Sequence, residues 1–121
     1  MTRVLLVEDD TLLARHFARV LARADCDVAT IGHALGALDV VDEFDPEVLV
    51  VDMLLVGSTA LPLLHEMMSH DDLARLPVVM VTSLAGELSL DALRPYGVVA
   101  LLDKTSLRPD DLAAAVRKAA S

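Results

Sequence analysis

Five short runs of mostly apolar, β-branched residues recur along this chain of 121 residues and constrain its fold more than any other feature. The runs are Val4 to Val7, Val28 to Ile31, Val48 to Val51, Val78 to Val81 and Val98 to Leu102. None shows the strict alternation of apolar and polar residues that marks a strand with one face in water. The pattern is typical of strands covered on both faces, as in a parallel sheet.

Longer segments with apolar residues three and four positions apart separate these runs. In the first such segment the apolar positions are Leu13, Phe17, Val20, Leu21 and Ala24. This spacing predicts amphipathic crossover helices, and turn signals such as Asp45-Pro46 lie in the gaps. The sequence therefore predicts five β-α units in a doubly wound α/β domain, with a five-stranded parallel sheet and helices on both faces.

The composition excludes several classes of function. A formal net charge of −9 argues against broad contact with nucleic acid or anionic lipid, because phosphate binding depends on clustered Lys and Arg. No apolar run approaches the ~20 residues of a membrane span. The single cysteine, Cys26, cannot form an internal disulfide, and no signal sequence precedes the first run, so we expect a soluble protein of the reducing cytoplasm.

Four of the five predicted strands end in polar groups. These are Glu8-Asp9-Asp10 after the first run, Asp52 after the third, Thr82-Ser83 after the fourth and Asp103-Lys104 after the fifth. A helix cap alone would explain the acidic triplet, because carboxylates favour helix N-termini. In doubly wound sheets, however, ligands bind at the carboxyl ends of the strands, and the joint placement indicates a site there.

The chemistry of these groups indicates a phosphoryl acceptor. Converging carboxylates repel unless positive charge joins them, and a hard cation such as Mg²⁺ prefers oxygen ligands. Lys104, one of two lysines in the chain, would supply a second positive charge, and Thr82 a hydroxyl for an anion. A carboxylate nucleophile, Mg²⁺, an ammonium and a hydroxyl together form what phosphoryl transfer to an aspartate requires.

The ordered set of motifs resembles the receiver domain of response regulators, from Arg3 to about Lys118. The matching pieces are "VLLVEDD", "VLVVD", "VVMVTS", "YGVVALLDK" and "RPDDL". The resemblance implies a flavodoxin-like strand order of 2-1-3-4-5 and one receiver domain over residues 1–121, without an output domain. It further implies a phosphoprotein of two-component or phosphorelay signal transduction, which receives its phosphoryl group from a histidine kinase or a histidine phosphotransfer protein.

The resemblance also implies roles for particular residues. Asp52 corresponds to the phosphorylated aspartate, Lys104 to the lysine that contacts the phosphoryl group, and Thr82 to the switch hydroxyl. Such a domain is not an enzyme acting on other molecules, since it catalyses only its own phosphorylation and slow dephosphorylation. Its output is a contact with a downstream protein rather than with nucleic acid or a membrane.

The same resemblance implies a magnesium site. Asp9 corresponds to a direct Mg²⁺ ligand and Glu8 to one that acts through water. Asp52 itself and the backbone carbonyl of Leu54 complete the protein ligands. Asp10 falls one place beyond the acidic pair.

Four positions depart from the family pattern. The loop after the phosphorylated aspartate usually carries a proline and a glycine, where this chain has Val56 and Ala60. Thr105 replaces the usual cis proline after the lysine, and because a cis bond without proline costs roughly 2.5 to 4 kcal/mol, we expect a trans peptide and a shifted loop. Leu101 replaces the switch aromatic, which leaves a shift of the threonine as the expected coupling to the loop after strand four.

Two leucines lie where the family lines the path of the hydrolytic water. They are Leu54 and Leu84, two places after the phosphorylated aspartate and two places after the switch threonine. Neither side chain can hold or orient a water molecule. We therefore expect slow self-dephosphorylation and a long-lived phosphorylated state.

Two surfaces are expected to bind other proteins. Arg15, Arg19 and Arg23 form a basic stripe on the first helix, which in the family borders the docking surface for the phosphodonor. Segments 87–102 and 109–118 correspond to the face of helix 4, strand 5 and helix 5. Family members form homodimers and bind output partners through that face.

Two other interpretations stay open at the level of sequence. The first is a receiver-like protein-interaction module that does not cycle, which the apolar loop and Leu101 favour and the intact acids and lysine oppose. The second is an enzyme with an aspartyl-phosphate intermediate, such as a phosphatase, or a flavin carrier. The phosphatase would need a second acid where Leu54 lies, and the flavin carrier would need stacking aromatics, whereas the chain has no Trp and one Tyr.

Overall fold

The computed structural model describes residues 1–55 and 57–121. The strands of the main sheet, β1 to β5, are Thr2–Val7, Cys26–Ile31, Val48–Val51, Val78–Thr82 and Val98–Asp103. The α-helices, α1 to α5, are Thr11–Arg23, Ala37–Phe44, Leu61–Met68, Leu90–Leu93 and Pro109–Ala120. Short antiparallel strands at Leu54–Leu55 and Ser58–Thr59 and 3-10 turns at Leu73–Arg75, Ala85–Glu87 and Arg94–Tyr96 lie between them. In the described part of the chain, no helix is long and apolar enough to cross a membrane.

The five strands form one parallel sheet in the order β2-β1-β3-β4-β5. In β1, for example, Val4 pairs with Val28 on one side and with Val48 on the other. The predicted doubly wound fold and its strand order are confirmed. Because the order reverses between β1 and β3, a crevice opens where the carboxyl ends of these two strands separate, at the usual binding edge of such sheets.

Alternate residues of each strand enter two different cores. On one face, residues such as Leu5, Val7 and Met80 pack with α2, α3 and α4. On the other face, Leu6 of β1, Val50 of β3 and Val79 of β4 pack with α1 and α5. The buried residues that the two helices contribute to this core are Phe17, Leu21, Leu112 and Val116. Burial on both faces is why the strands are apolar without alternation.

Helix α4 is a single turn rather than a full crossover helix. Ser89 caps its start, because its hydroxyl accepts a hydrogen bond from the Ala92 N–H at 3.4 Å. Pro95, which lacks an N–H to continue the helical bonds, shifts the chain into the 3-10 turn Arg94–Tyr96. Gly97, with φ of 87°, then reverses the chain into β5. The segment that the sequence assigned to helix 4 is therefore short and irregular.

We predict that Leu21→Ala lowers the free energy of unfolding by about 3 kcal/mol, because Leu21 is fully buried between α1 and the sheet. The matched control is Leu12→Ala on the same helix, where the side chain is 77% exposed. The control should change stability by less than about 0.5 kcal/mol. Urea denaturation of the two variants measures both values, and equal losses would contradict the assigned packing of α1.

Candidate functional site

Three predicted site residues lie directly beyond the carboxyl ends of parallel strands. Glu8 follows β1, Asp52 follows β3 and Lys104 follows β5. Hydrogen bonds extend the strand pairing to the first and last of these: the Glu8 N–H donates to the Ile31 carbonyl at 3.1 Å, and the Lys104 N–H donates to the Thr82 carbonyl at 3.1 Å. The sheet therefore fixes the backbone from which the side chains project.

The Lys104 side chain bridges the two carboxylates. Its Nζ lies 2.7 Å from Glu8 Oε1 and also donates to Asp52 Oδ2. Glu8 is only 4% exposed and Asp52 only 7% exposed, so both charges are largely removed from water. Buried carboxylates require such a partner, because an unpaired buried charge is costly.

Backbone N–H groups hold the remaining oxygens of the two acids. Asp52 Oδ1 accepts a hydrogen bond from the Leu54 N–H at 3.1 Å, and Glu8 Oε2 accepts one from the Asp10 N–H at 3.2 Å. Each carboxylate thus has one oxygen on the ammonium and one on the main chain. This arrangement restricts the rotation of both side chains and aims Asp52 into the crevice between β1 and β3.

Burial and neighbouring charges shift the titration of this site. Burial raises the pKa of Glu8, against the lowering effect of the Lys104 ammonium and the Asp10 N–H, and the adjacent Asp9 carboxyl raises it further. Burial also acts to lower the pKa of Lys104, but its hydrogen bonds with Asp52 and Glu8 outweigh that effect and leave the pKa above its ordinary value. Lys104 is therefore protonated at neutral pH, and its one ammonium contacts two carboxylates.

The donor set fits a hard divalent cation. Glu8, Asp9 and Asp52 offer carboxylate oxygens, and oxygen donors of this type are the ligands that Mg²⁺ prefers. In residues 1–55 and 57–121, no three acidic, histidine or cysteine side chains are already arranged around a common point as metal ligands. Lys104 contacts two of the acids instead, and the excess of negative charge that remains is what a cation would neutralise.

Thr82 adjoins the site without contacting its acids. It is fully buried, and its Oγ1 accepts a hydrogen bond from the Leu84 N–H at 3.2 Å. Within the described residues its hydroxyl makes no hydrogen bond to Asp52 or Lys104, although its carbonyl bonds to the Lys104 backbone. The structure thus brings Glu8, Asp52 and Lys104 into direct contact and leaves Thr82 at the margin.

Asp10 has a different role from the other two acids of the triplet. It is the N-cap of α1, and its Oδ1 accepts a hydrogen bond from the Leu13 N–H at 3.1 Å. The capping explanation therefore applies to this one residue. Glu8, two positions earlier, points into the pocket instead.

Sequence reasoning missed the contact that holds the loop after Lys104. Asp103 Oδ1 accepts hydrogen bonds from the Thr105 N–H at 2.9 Å and from the Thr105 hydroxyl at 2.7 Å, and these bonds lower the pKa of Asp103. The Asp-x-Thr spacing is a recognisable signal for such an Asx turn. The expected trans peptide after Lys104 is confirmed, since the described residues contain no cis bond.

The apolar loop after Asp52 turns without a glycine at position 60. Ala60 has φ of −74°, which any residue adopts, and it is fully buried. In this loop Gly57 adopts the left-handed backbone conformation, with φ of 77°. The substitution at Val56 lies outside the described residues. Leu54, the residue whose N–H bonds to Asp52, is 45% exposed.

Comparisons with known proteins identify the family of this chain. The family model for the response regulator receiver domain matches residues 4–117. The chain is 34% identical over 132 aligned positions to a protein-glutamate methylesterase/protein-glutamine glutaminase of Rhodopseudomonas palustris, covering 99% of this chain and 35% of that protein. The chain spans between 25% and 35% of the length of such methylesterase relatives. The family that matches is not an enzyme family, and the likeness to the methylesterases is confined to their receiver part.

Solved protein structures are similar to this chain over nearly its full length. A sensor protein from Polaromonas sp. JS666 is similar with a TM-score of 0.89 and 25% identity, over 98% of this chain and 95% of that chain. The receiver domain of NtrX from Brucella abortus is similar with a TM-score of 0.83 and 26% identity, over 97% of both chains.

We predict that Lys104→Met destabilises the protein by about 2 to 3 kcal/mol, because it leaves two buried carboxylates without their cation. The other lysine provides a matched control: Lys118 is exposed on α5, and Lys118→Met should change stability by less than about 0.5 kcal/mol. Urea denaturation without divalent ions measures both. Equal stability of the two variants would show that the ion pairs of Lys104 contribute nothing.

Proposed function

This chain belongs to the response regulator receiver domain family, and from that premise we propose that it is a phosphoacceptor switch that takes a phosphoryl group from a phosphohistidine donor onto Asp52. The observation that carries the proposal is the contact of Lys104 with Asp52 and Glu8 at the point where the strand order reverses. A carboxylate that is buried, oriented and paired with an ammonium at this edge is suited to act as a nucleophile toward an anion.

In the proposed reaction, a carboxylate oxygen of Asp52 attacks the phosphorus of the donor. The new bond joins that oxygen to phosphorus as the bond between phosphorus and the donor imidazole nitrogen breaks, and the imidazole leaves with the electron pair and takes up a proton. Lys104 lies against Asp52 Oδ2, so its ammonium can donate to a phosphoryl oxygen as charge develops there. The Leu54 N–H keeps the carboxylate oriented through Oδ1.

We propose that Glu8, Asp9, Asp52 and the Leu54 carbonyl hold Mg²⁺ during this reaction. When bound, Mg²⁺ supplies positive charge that offsets the repulsion between the acids and the incoming phosphoryl oxygens. The oxygen-only donor set and the excess of carboxylates over ammonium groups support this assignment. Asp10 is not part of the set, because its side chain caps α1.

Signalling would follow from a rearrangement of the loop after β4. Thr82 Oγ1 now accepts a hydrogen bond from the Leu84 N–H, and a phosphoryl oxygen at Asp52 would offer the Thr82 hydroxyl an acceptor. Leu101 and Tyr96 are both partly buried and pack against the core that α2, α3 and α4 cover. The expected output is a shift of the irregular segment around α4, whose single turn has few helical bonds to break.

The implied setting is a two-component or phosphorelay pathway in the cytoplasm. The phosphodonor would be a histidine kinase or a histidine phosphotransfer protein, and the output partner a downstream protein. The α4, β5 and α5 face is the proposed surface for that partner or for a homodimer. Val99, 46% exposed on the edge strand β5, supports this assignment.

We predict that incubation with acetyl phosphate and Mg²⁺ adds one phosphoryl group to the protein and none to Asp52→Asn, because the amide is not a nucleophile of this kind. Intact mass spectrometry at several times measures the uptake. Asp27→Asn, an exposed carboxylate change at the start of β2, is the matched control and should retain full uptake. Removal of Mg²⁺ with a chelator should reduce the rate strongly. Uptake by Asp52→Asn equal to that of the unchanged protein would refute the assignment.

We also predict that the phosphorylated protein is long-lived and that Leu84→Gln shortens its half-life. The amide of the new Gln side chain can hydrogen-bond to the water that attacks the phosphoryl group. One such bond corresponds to about a tenfold change in the rate of hydrolysis. Leu88→Gln, which alters another partly buried leucine farther along the same segment, is the control and should leave the half-life unchanged. Phosphate release from the labelled protein gives the rates. A half-life that lengthens in Leu84→Gln would count against the proposed water path.

One alternative function has an observation in its favour. Leu101 fills the position of the switch aromatic and packs against the buried core, as expected of a receiver-like module that binds a partner without cycling. The same phosphorylation experiment separates the two functions. A protein that takes up no phosphoryl group at Asp52 under any of these conditions, while folded and able to bind its partner, is such a module.

A further inference from the structure

The turn after β5 fixes the main chain on both sides of Lys104. On one side, Asp103 pairs with Thr82 as the last residue of β5, and the Lys104 N–H donates to the Thr82 carbonyl at 3.1 Å. On the other side, the Thr105 N–H donates to Asp103 Oδ1 at 2.9 Å, and the Ser106 N–H donates to the Asp103 carbonyl at 3.3 Å. Lys104 is therefore held between the end of the sheet and a closed turn.

The side chains of Asp103 and Thr105 close this turn a second time. The Thr105 hydroxyl donates at 2.7 Å to the same Asp103 Oδ1 that accepts from its N–H. Both residues are exposed, and among the described residues no hydrogen bond or ion pair joins either side chain to Glu8 or Asp52. The pair therefore shapes the main chain next to the site without touching the groups that would react.

The aim of the Lys104 ammonium depends on the position of its main chain. A lysine side chain is a flexible four-carbon stem, and fixing it in one conformation costs rotamer entropy. The Lys104 ammonium nevertheless lies 2.7 Å from Glu8 Oε1 and also contacts Asp52. The allowed rotamers of a side chain depend on the backbone dihedral angles. A fixed main chain at Lys104 thus reduces the number of conformations that compete with the one reaching Asp52.

We propose that Asp103 and Thr105 are positioning residues for phosphoryl transfer, because their hydrogen-bonded turn aims the Lys104 ammonium at Asp52. This assignment rests on the proposed function and deepens it, since it gives a role to two exposed residues that contact no reacting group. Misplacement of a catalytic group by about 1 Å can cost on the order of 100-fold in rate. A turn that is loosened but not removed should cost less, about fivefold, which is the worth of one hydrogen bond.

The first test compares substitutions that break the turn with conservative ones that keep it. Asp103→Ala removes the acceptor, whereas Asp103→Asn keeps an oxygen at the same place and removes only the charge. Initial rates of phosphorylation are measured with Mg²⁺ over a range of acetyl phosphate concentrations. Asp103→Ala should lower the maximal rate about fivefold and change the half-saturating concentration less than about twofold, since the ammonium acts on charge that develops in the reaction. Asp103→Asn should stay within about twofold of the unchanged protein.

The hydroxyl of Thr105 is tested in the same way. Thr105→Val removes the hydroxyl but keeps the N–H, so one of the two bonds to Asp103 remains. Its maximal rate should fall about two- to threefold. Thr105→Ser keeps both donors and should restore the rate of the unchanged protein.

A second readout follows the position of Lys104 without phosphoryl transfer. The chain has only two lysines, and Lys118 is exposed on α5, so it provides an internal reference. NMR spectra of the complete chain with ¹³C-labelled lysine, recorded without divalent ions, resolve both side chains. The two ε-protons of Lys104 should differ in chemical shift because the ammonium is held, and those of Lys118 should coincide. Asp103→Ala should bring the two Lys104 signals together, and Asp103→Asn should keep them apart.

Two results would overturn the assignment. The first is an equal loss of rate in Asp103→Asn and Asp103→Ala, which would show that the charge matters and the turn does not. The second is a rate or a Lys104 spectrum in Asp103→Ala that equals that of the unchanged protein. Absence of phosphoryl uptake by the unchanged protein would instead refute the proposed function. The NMR comparison would then still show whether the turn holds Lys104.

Discussion

The ion pairs of Lys104 with Glu8 and Asp52 are the interaction on which the site depends. Three residues from distant parts of the chain meet because β1, β3 and β5 are parallel and end at one edge of the sheet. Without the lysine, two acids that are almost wholly buried would face each other across the crevice. The cost of removing their charges from water is what makes the ammonium a structural requirement as well as a chemical one.

Much of the fold could be predicted from the sequence because its strands are covered on both faces. Continuous apolar runs such as Val48 to Val51 are easily distinguished from helical segments, in which apolar residues recur three and four positions apart. Each of the five runs lies within an observed strand. The convergence of Glu8, Asp52 and Lys104 also follows from a parallel sheet. The order of the strands depends on contacts between distant segments, which local sequence patterns do not reveal. The strand order was predicted instead from the resemblance to the receiver family.

Details set by local geometry were beyond the sequence pattern. Nothing in the acidic triplet tells which member caps α1 and which enters the pocket, because that depends on the turn after β1. The shortening of α4 follows from Ser89 and Pro95 acting from both ends, which the apolar spacing of the segment conceals. Which of the arginines on α1 lie beside α5, namely Arg19 and Arg23, depends on where the two helices pack together. Each of these features depends on the position of a second structural element, and the local sequence pattern does not give that position.

The most direct test of the central claim is to locate the phosphoryl group chemically. An acyl phosphate on an aspartate is reduced by borohydride to homoserine, which peptide mass spectrometry assigns to a position. After treatment with a phosphodonor and Mg²⁺, we predict homoserine at position 52 and at no other acid of the chain. Homoserine at another acid such as Asp9 or Asp103, or a phosphoryl group on one of the exposed histidines, would contradict Asp52 as the acceptor.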